Sequence, residues 1–307
     1  MKRATGIAWV VSACLVLVHA PAVLAASAKA AKGLKVVSDQ AVTGFPFPES
    51  VGCDAKNKVL YVGQFVSELK PAEKDGKGRI SKVSLDGKVL EERFLPTGSD
   101  VLNKPKGIWV RGDRLWVTDI DAVWVFDLKS RKGRKLEVAG MGFANDPTVK
   151  GNELFVSDNR ADVLYRVEPA DFLNLKGNPQ VGIVFAGKGI NPNGLYPAKD
   201  GSILMGGFLS DKQARGIYSI DRNGEIKTLA PDVGRVDGIY QLKDGTLLVT
   251  DWNSGSLAHW SQKGGLQPLA KGFKGPADFC VIPDAKGYNV YVPDLAKSEV
   301  RLIRLAP

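Results

Sequence analysis

Five polar side chains stand at equivalent places in a repeating pattern: Glu49, Lys106, Asn145, Asn193 and Asp237. Four of them are oxygen donors. An oxygen-rich set gathered around one point suits a hard divalent cation such as calcium or magnesium. A water-filled channel with polar walls is the other reading of such a ring. A histidine-type zinc site is excluded by count, because the chain has two histidines, and His19 sits in an apolar leader while His259 falls on an outer strand. The same count argues against a Ser-His-Asp hydrolase.

The equivalence rests on a repeat. Leu60–Gln64, Leu115–Asp119, Leu154–Asp158, Ile203–Gly207, Leu247–Asp251 and Val290–Asp294 are variants of one apolar run, spaced 39 to 55 residues apart. Self-similarity at that period implies one supersecondary unit wheeled around an axis. The fifth unit shows its plan. Val236–Leu242, Thr246–Asp251, Ser256–Ser261 and Leu266–Leu269 read as four short strands joined by Gly-bearing turns. Asp86-Gly87 and Asn223-Gly224 supply tight turns in other units. The pattern therefore predicts an all-β protein, a six-bladed β-propeller of four-stranded blades. An open solenoid would leave exposed edges. Leu34–Ser38 can instead add a strand to the last blade, whose outer part, Val300–Leu305, ends the sequence. Pro169–Leu175 is the one place where a helical turn is expected.

In a propeller the innermost strand of each blade lines the axis. Working back from each repeat places the five polar residues at the start of these strands, facing the channel mouth. The sixth place is open between Ala277 and Asp278. The recurrent Asp119, Asp158, Asp251 and Asp294 end second strands and read as caps on the following turn.

With 307 residues, 44% of them apolar and 24% charged, the chain has ordinary globular composition and ample length for a core. Lys2 and Arg3 precede an apolar stretch, and small residues follow at Ala25–Ala28. Residues 1–28 read as a signal peptide, leaving 29–307 as a single propeller domain, exported to a periplasm or secreted, monomeric, and without stable membrane insertion. Cys53 and Cys280 fall in the first and last repeats. They read as two buried thiols, with a disulfide open to them if the wheel closes in an oxidising compartment. The net charge is +9. The densest basic run, Lys129–Lys135, reads as a solvated hairpin tip. It lies in no nucleic-acid module, so nucleic-acid binding is not expected.

At the ring residues the chain resembles the senescence marker protein / gluconolactonase / luciferin-regenerating-enzyme family, of regucalcin type. Glu49-Ser50-Val51 is similar in part to the family's metal-binding Glu motif, Ala144-Asn145-Asp146 to its substrate-side Asn motif, Asn193-Gly194-Leu195 to its second ligand motif, and Asp237-Gly238-Ile239 to its third. The resemblance implies a divalent metal, calcium before magnesium, held by Glu49, Asn193 and Asp237. It implies hydrolysis of a lactone or related ester, with Asp237 also the general base and Asn145, Phe143 and Lys106 on the substrate. Phe143 stands where sugar-lactonase members carry an Arg. Phe143 and Trp109, if near the mouth, would favour a less polar acyl group than a sugar. The alternative expectation is a non-catalytic exported propeller that binds a small ligand or a protein partner at its channel mouth.

Overall fold

The computed structural model describes Met1 and residues 33–307. Apart from Met1, the expected signal peptide lies outside the described residues. From Gly33 onward the chain forms six four-stranded antiparallel sheets. Five are consecutive in sequence, and their innermost strands are Pro48–Asp54, Pro105–Arg111, Ala144–Lys150, Pro192–Pro197 and Val236–Gln241. The sixth sheet combines Cys280–Asp284, Gly287–Asp294 and Glu299–Ala306 with the early strand Lys35–Thr43, which supplies its outer edge. The protein is thus an all-β, six-bladed propeller closed by its N-terminal strand, as the repeat predicts. No helix forms among the described residues.

The repeated runs are the second strands, and each is buried along its whole length in blades one, four and five. A strand flanked in its own sheet and covered by neighbouring blades has no solvent face. It reads as an unbroken apolar run rather than an alternating one. Apolar clusters fill the spaces between blades. Trp116, Val125, Leu154, Val156 and Phe172 pack between blades two and three, and Leu248, Val281, Val290 and Ile303 between five and six.

Two expectations need correction. Pro169–Leu175 forms no helix, only a single turn closed by the Leu175 N–H on the Phe172 carbonyl. Side chains hold the segment in place: Trp116 Nε1 donates to the Ala170 carbonyl, and Arg134 to those of Phe172 and Leu175. Cys53 and Cys280 are not free thiols. They are joined in a disulfide, with Cα atoms 5.7 Å apart and a sequence separation of 227. Closure of the wheel brings the first and last innermost strands side by side, and the thiols meet there.

The basic run forms the hairpin tip between Ala122–Asp127 and Gly133–Glu137, and several of its cations are engaged. Arg131 pairs with Glu91, and Lys129 with Asp113.

Candidate functional site

The repeated Val-Ser/Thr-Asp ending explains how the ring is positioned. Each terminal Asp binds backbone N–H groups of the loop entering its own blade. Asp119 accepts from Asn103 and Lys104, both at 2.8 Å. Asp158 accepts from Gly142 and Phe143 at 2.8 and 2.9 Å. Asp251 accepts from Arg235 at 2.9 Å, and Asp294 from Lys274 and Gly275 at 2.9 Å. The ring position follows two residues after the last of these N–H groups in every case. Asp158, Asp251 and Asp294 also cap the following turn, as expected from sequence. Blade four lacks the terminal Asp, and Asp162 takes over by accepting from Ile190 and Asn191.

The Ser or Thr before the Asp does a second job. Thr118, Ser157 and Thr250 donate to the carbonyls of Asn145, Asn193 and Ala277 in the next blade. Ser50 does the same for Lys106. Each of these ring residues is therefore tied to the preceding blade. This inter-blade hydroxyl was a signal present in the repeat that sequence reasoning passed over.

The same bonds decide the sixth place. The Ala277 carbonyl accepts from Thr250, and Pro276 bridges Asp294 just as Pro105 pairs with Asp119. The first tier is Glu49, Lys106, Asn145, Asn193, Asp237 and Ala277. One residue further along lies a second tier of Ser50, Gly107, Asp146, Gly194, Gly238 and Asp278. Three of its members are glycine because there is no room for more. A Cβ on Gly107 would come 2.3 Å from Asp146 Oδ1, and one on Gly238 would meet Phe279 at 2.6 Å and Asp278 Oδ1 at 3.0 Å.

All five polar first-tier residues are buried, and none is more than 5% exposed. Each carries a buried polar atom with no hydrogen-bond partner: Glu49 Oε2, Lys106 Nζ, Asn145 Oδ1, Asn193 Oδ1 and Asp237 Oδ1. Buried polar groups are normally satisfied, and an orphan costs about 1–3 kcal/mol. Five in one ring is a concentrated deficit. The other oxygen of Asp237 accepts a hydrogen bond from Trp252 Nε1 at 2.9 Å.

The electrostatics follow from burial. Desolvation raises the Asp237 carboxyl to about 7, opposed by the Trp252 hydrogen bond. Glu49 is held well above the usual carboxylate range by burial and by the charge of Asp237, with Lys106 opposing. Burial lowers Lys106 to about 8, with Glu49 opposing. Asp146 and Asp278 are pushed up by burial and by neighbouring carboxylates. These mutual influences put Glu49, Lys106, Asp237, Asp146 and Asp278 in one electrostatic neighbourhood. Among the described residues, no three His, Cys, Asp or Glu side chains form a metal-holding group by themselves. A cation at the ring would need the amide oxygens as well. The orphaned carboxyl and amide oxygens of Glu49, Asn193 and Asp237 fit that requirement, whereas the Lys106 ammonium opposes a second positive charge.

Phe143 lies beside the ring. Lys106 Nζ sits 4.3 Å from its ring centroid, and the Arg160 guanidinium 3.6 Å from it. A guanidinium is therefore present here, supplied from the next turn of the same blade. Trp109 is not at the mouth. It lies three residues past Lys106 on the same strand, lines a cavity further along the channel and packs edge-on against Tyr196, 6.2 Å between ring centroids.

No protein-family model and no curated protein matches this chain. Among solved structures it is similar to a candidate gluconolactonase, with 14% identity, 89% of this chain and 94% of that one covered, and a TM-score of 0.64. It is similar to a streptogramin B lyase at 14% identity, covering 87% and 97%, with a TM-score of 0.57. It is also similar to the virginiamycin B lyase of Staphylococcus aureus, at 15% identity, 90% and 100% coverage and a TM-score of 0.56. That lyase was solved as a catalytically inactive histidine-to-alanine variant with quinupristin. At these identities the likeness is one of fold, which hosts many chemistries.

Proposed function

We propose that the protein hydrolyses a lactone or related ester of a small molecule at the first-tier ring, with a divalent cation held by Glu49, Asn193 and Asp237. The observation that carries this is the set of orphaned, buried oxygens on those side chains and on Asn145. An all-oxygen set suits calcium first and magnesium second. When bound, such a cation supplies Lewis-acid polarisation of the scissile carbonyl. The rest falls to the chain. Asp237, whose Oδ2 is steadied by the Trp252 indole, is the carboxylate placed to accept the proton of the attacking water. Asn145 and Lys106 orient the substrate oxygens. Phe143 presents an apolar face, with Arg160 above it to receive a polar or anionic substituent. The fold likeness to a candidate gluconolactonase supports the reading. Among the described residues the one histidine, His259, lies on the third strand of its blade, hydrogen-bonded to Thr246. We place the protein in an exported compartment, a reading that the leader composition and the disulfide both favour.

The test is ester and lactone turnover by the purified protein. Chelation should abolish it and calcium restore it, and Asp237→Asn should reduce it by about 10²–10⁴-fold. Turnover indifferent to both would overturn the reading.

One observation favours a second reading, a non-catalytic binding propeller. The buried Lys106 ammonium gives the ring a positive charge of its own. On that reading calcium leaves the melting temperature unchanged and no ester is turned over. On the first it raises the melting temperature, because a ligand bound only to the folded state stabilises it.

A further inference from the structure

Beneath the ring, the channel widens into a cavity of about 270 Å³ that the reaction above does not use. Its wall includes Trp109, Tyr196, Tyr240 and Phe279, and none of the ring residues lines it. The aromatic rings form a connected series, Trp109 edge-on to Tyr196 and Tyr196 tilted against Tyr240 with centroids 4.8 Å apart. Two carboxyl groups, Asp146 and Asp278, also line the cavity. They are the second-tier residues of blades three and six, and they stand across the axis from one another because those blades are three steps apart in a wheel of six. Both are more than nine-tenths buried. Asp146 Oδ2 accepts the Leu195 N–H at 2.6 Å. The indole nitrogen of Trp109 is buried without an acceptor.

We propose that this cavity is a second binding site, for a small organic ammonium ion carrying a hydrogen-bond acceptor. The chemistry selects the class by elimination. No Lys, Arg or His lines the cavity, so nothing there would hold an anion. An inorganic divalent cation needs six or more oxygen ligands, and two carboxyls among aromatic walls do not provide them. A purely apolar occupant would leave the buried Trp109 N–H without an acceptor and would offer nothing to the remaining lone pairs of Asp146 and Asp278. An alkylated ammonium matches each part. Its charge faces Asp146 and Asp278, its carbons lie against the Trp and Tyr faces, which attract cations, and its oxygen accepts from Trp109 Nε1. The volume is at the small end for ligand pockets, so the ion is a small one.

The experiment compares choline with its neutral isostere, 3,3-dimethylbutan-1-ol, by calorimetry and by Trp fluorescence on the full protein with chelator present. Choline is expected to bind at least about tenfold more tightly than the isostere, the size of one desolvated cation–π contact. Asp278→Asn and, separately, Tyr240→Leu should each weaken it about tenfold or more, while Asp113→Asn, at an exposed ion pair with Lys129, leaves it within about twofold. Equal binding of choline and the isostere, or no binding of either, overturns the proposal. So does a choline response lost in Glu49→Gln but kept in Asp278→Asn, which would put the ion in the ring. The site does not depend on ester turnover, so a protein that binds choline without hydrolysing anything would refute only the enzymatic reading.

Discussion

Blade five contains two buried aspartates of opposite character, 14 residues apart. Asp251 is saturated. It accepts backbone N–H groups from Arg235, Asn253 and Ser254, all within 3.0 Å, and the Ser254 hydroxyl besides. Asp237 accepts only from Trp252, and its second oxygen faces no donor. Both are at most 4% exposed, so burial does not separate them. Partnership does. A carboxylate whose lone pairs are all taken builds structure and has nothing left for chemistry. One left half-satisfied weakens the fold and keeps a free oxygen for a proton, a cation or a substrate. The first kind also serves the second, since Asp251 holds the loop that aims Asp237.

The contrast can be broken by substitution. The largest effect on function is expected at Asp237. Asp237→Asn should cost about 10²–10⁴-fold in ester turnover, yet leave the metal-free fold as stable or more stable at pH 8, because it removes a buried charge. Asp251→Asn should do the opposite to stability, losing about 3–4 kcal/mol through the stranded N–H groups, as read by urea denaturation. Equal destabilisation by the two would erase the distinction.

Replacing both Cys53 and Cys280 by Ala tests closure rather than the ring. The disulfide joins blades one and six, and its removal should cost about 2–5 kcal/mol, beyond what the N-terminal strand alone makes good. Reduction of the wild type should shift the melting temperature in the same direction.

A pH titration sharpens the comparison at smaller amplitude. The folded Asp237 carboxyl sits at about 7, against about 3.8–3.9 when unfolded. The folded state binds the proton more tightly, so this group's contribution is complete below pH 4 and is lost as pH rises towards 7. A cation at the ring competes with that proton. The calcium-induced rise in melting temperature should therefore be greater at pH 8 than at pH 6. A calcium effect independent of pH would detach it from Asp237.

The smallest effect is expected at an exposed aspartate. Asp113 pairs with Lys129 at the solvent-facing hairpin tip, both side chains well exposed. Asp113→Asn should change stability by less than about 0.5 kcal/mol.

Much of this was legible in the residue order. The six repeats, the Gly-bearing turns and the strand that closes the wheel all lie within short stretches, and they predict the propeller. The first-tier residues followed from register, and for five blades the structure places them at the expected strand starts. The sixth failed to resolve because its innermost strand begins only at Cys280, so Ala277 stands outside the regular ladder, between the isolated bridges of Pro276 and Asp278. Whether Trp109 reaches the mouth was open in the sequence; it lines the lower cavity instead, because it sits three residues beyond Lys106 on the same innermost strand. The metal ligands and the reaction remain proposals, carried by orphaned oxygens that no pattern of letters could have revealed.

By itself the sequence determined the units and their order, because pleat alternation, turn chemistry and apolar runs act over a few residues at a time. The tertiary structure decided which side chains from different blades meet: Cys53 with Cys280 at the closure, Asp146 facing Asp278 across the axis, the aromatic wall below the ring. Those meetings depend on the angle at which each blade packs on the next. That angle is set by close fits such as glycine against a neighbouring carboxylate, and it accumulates around all six blades before the circle can close.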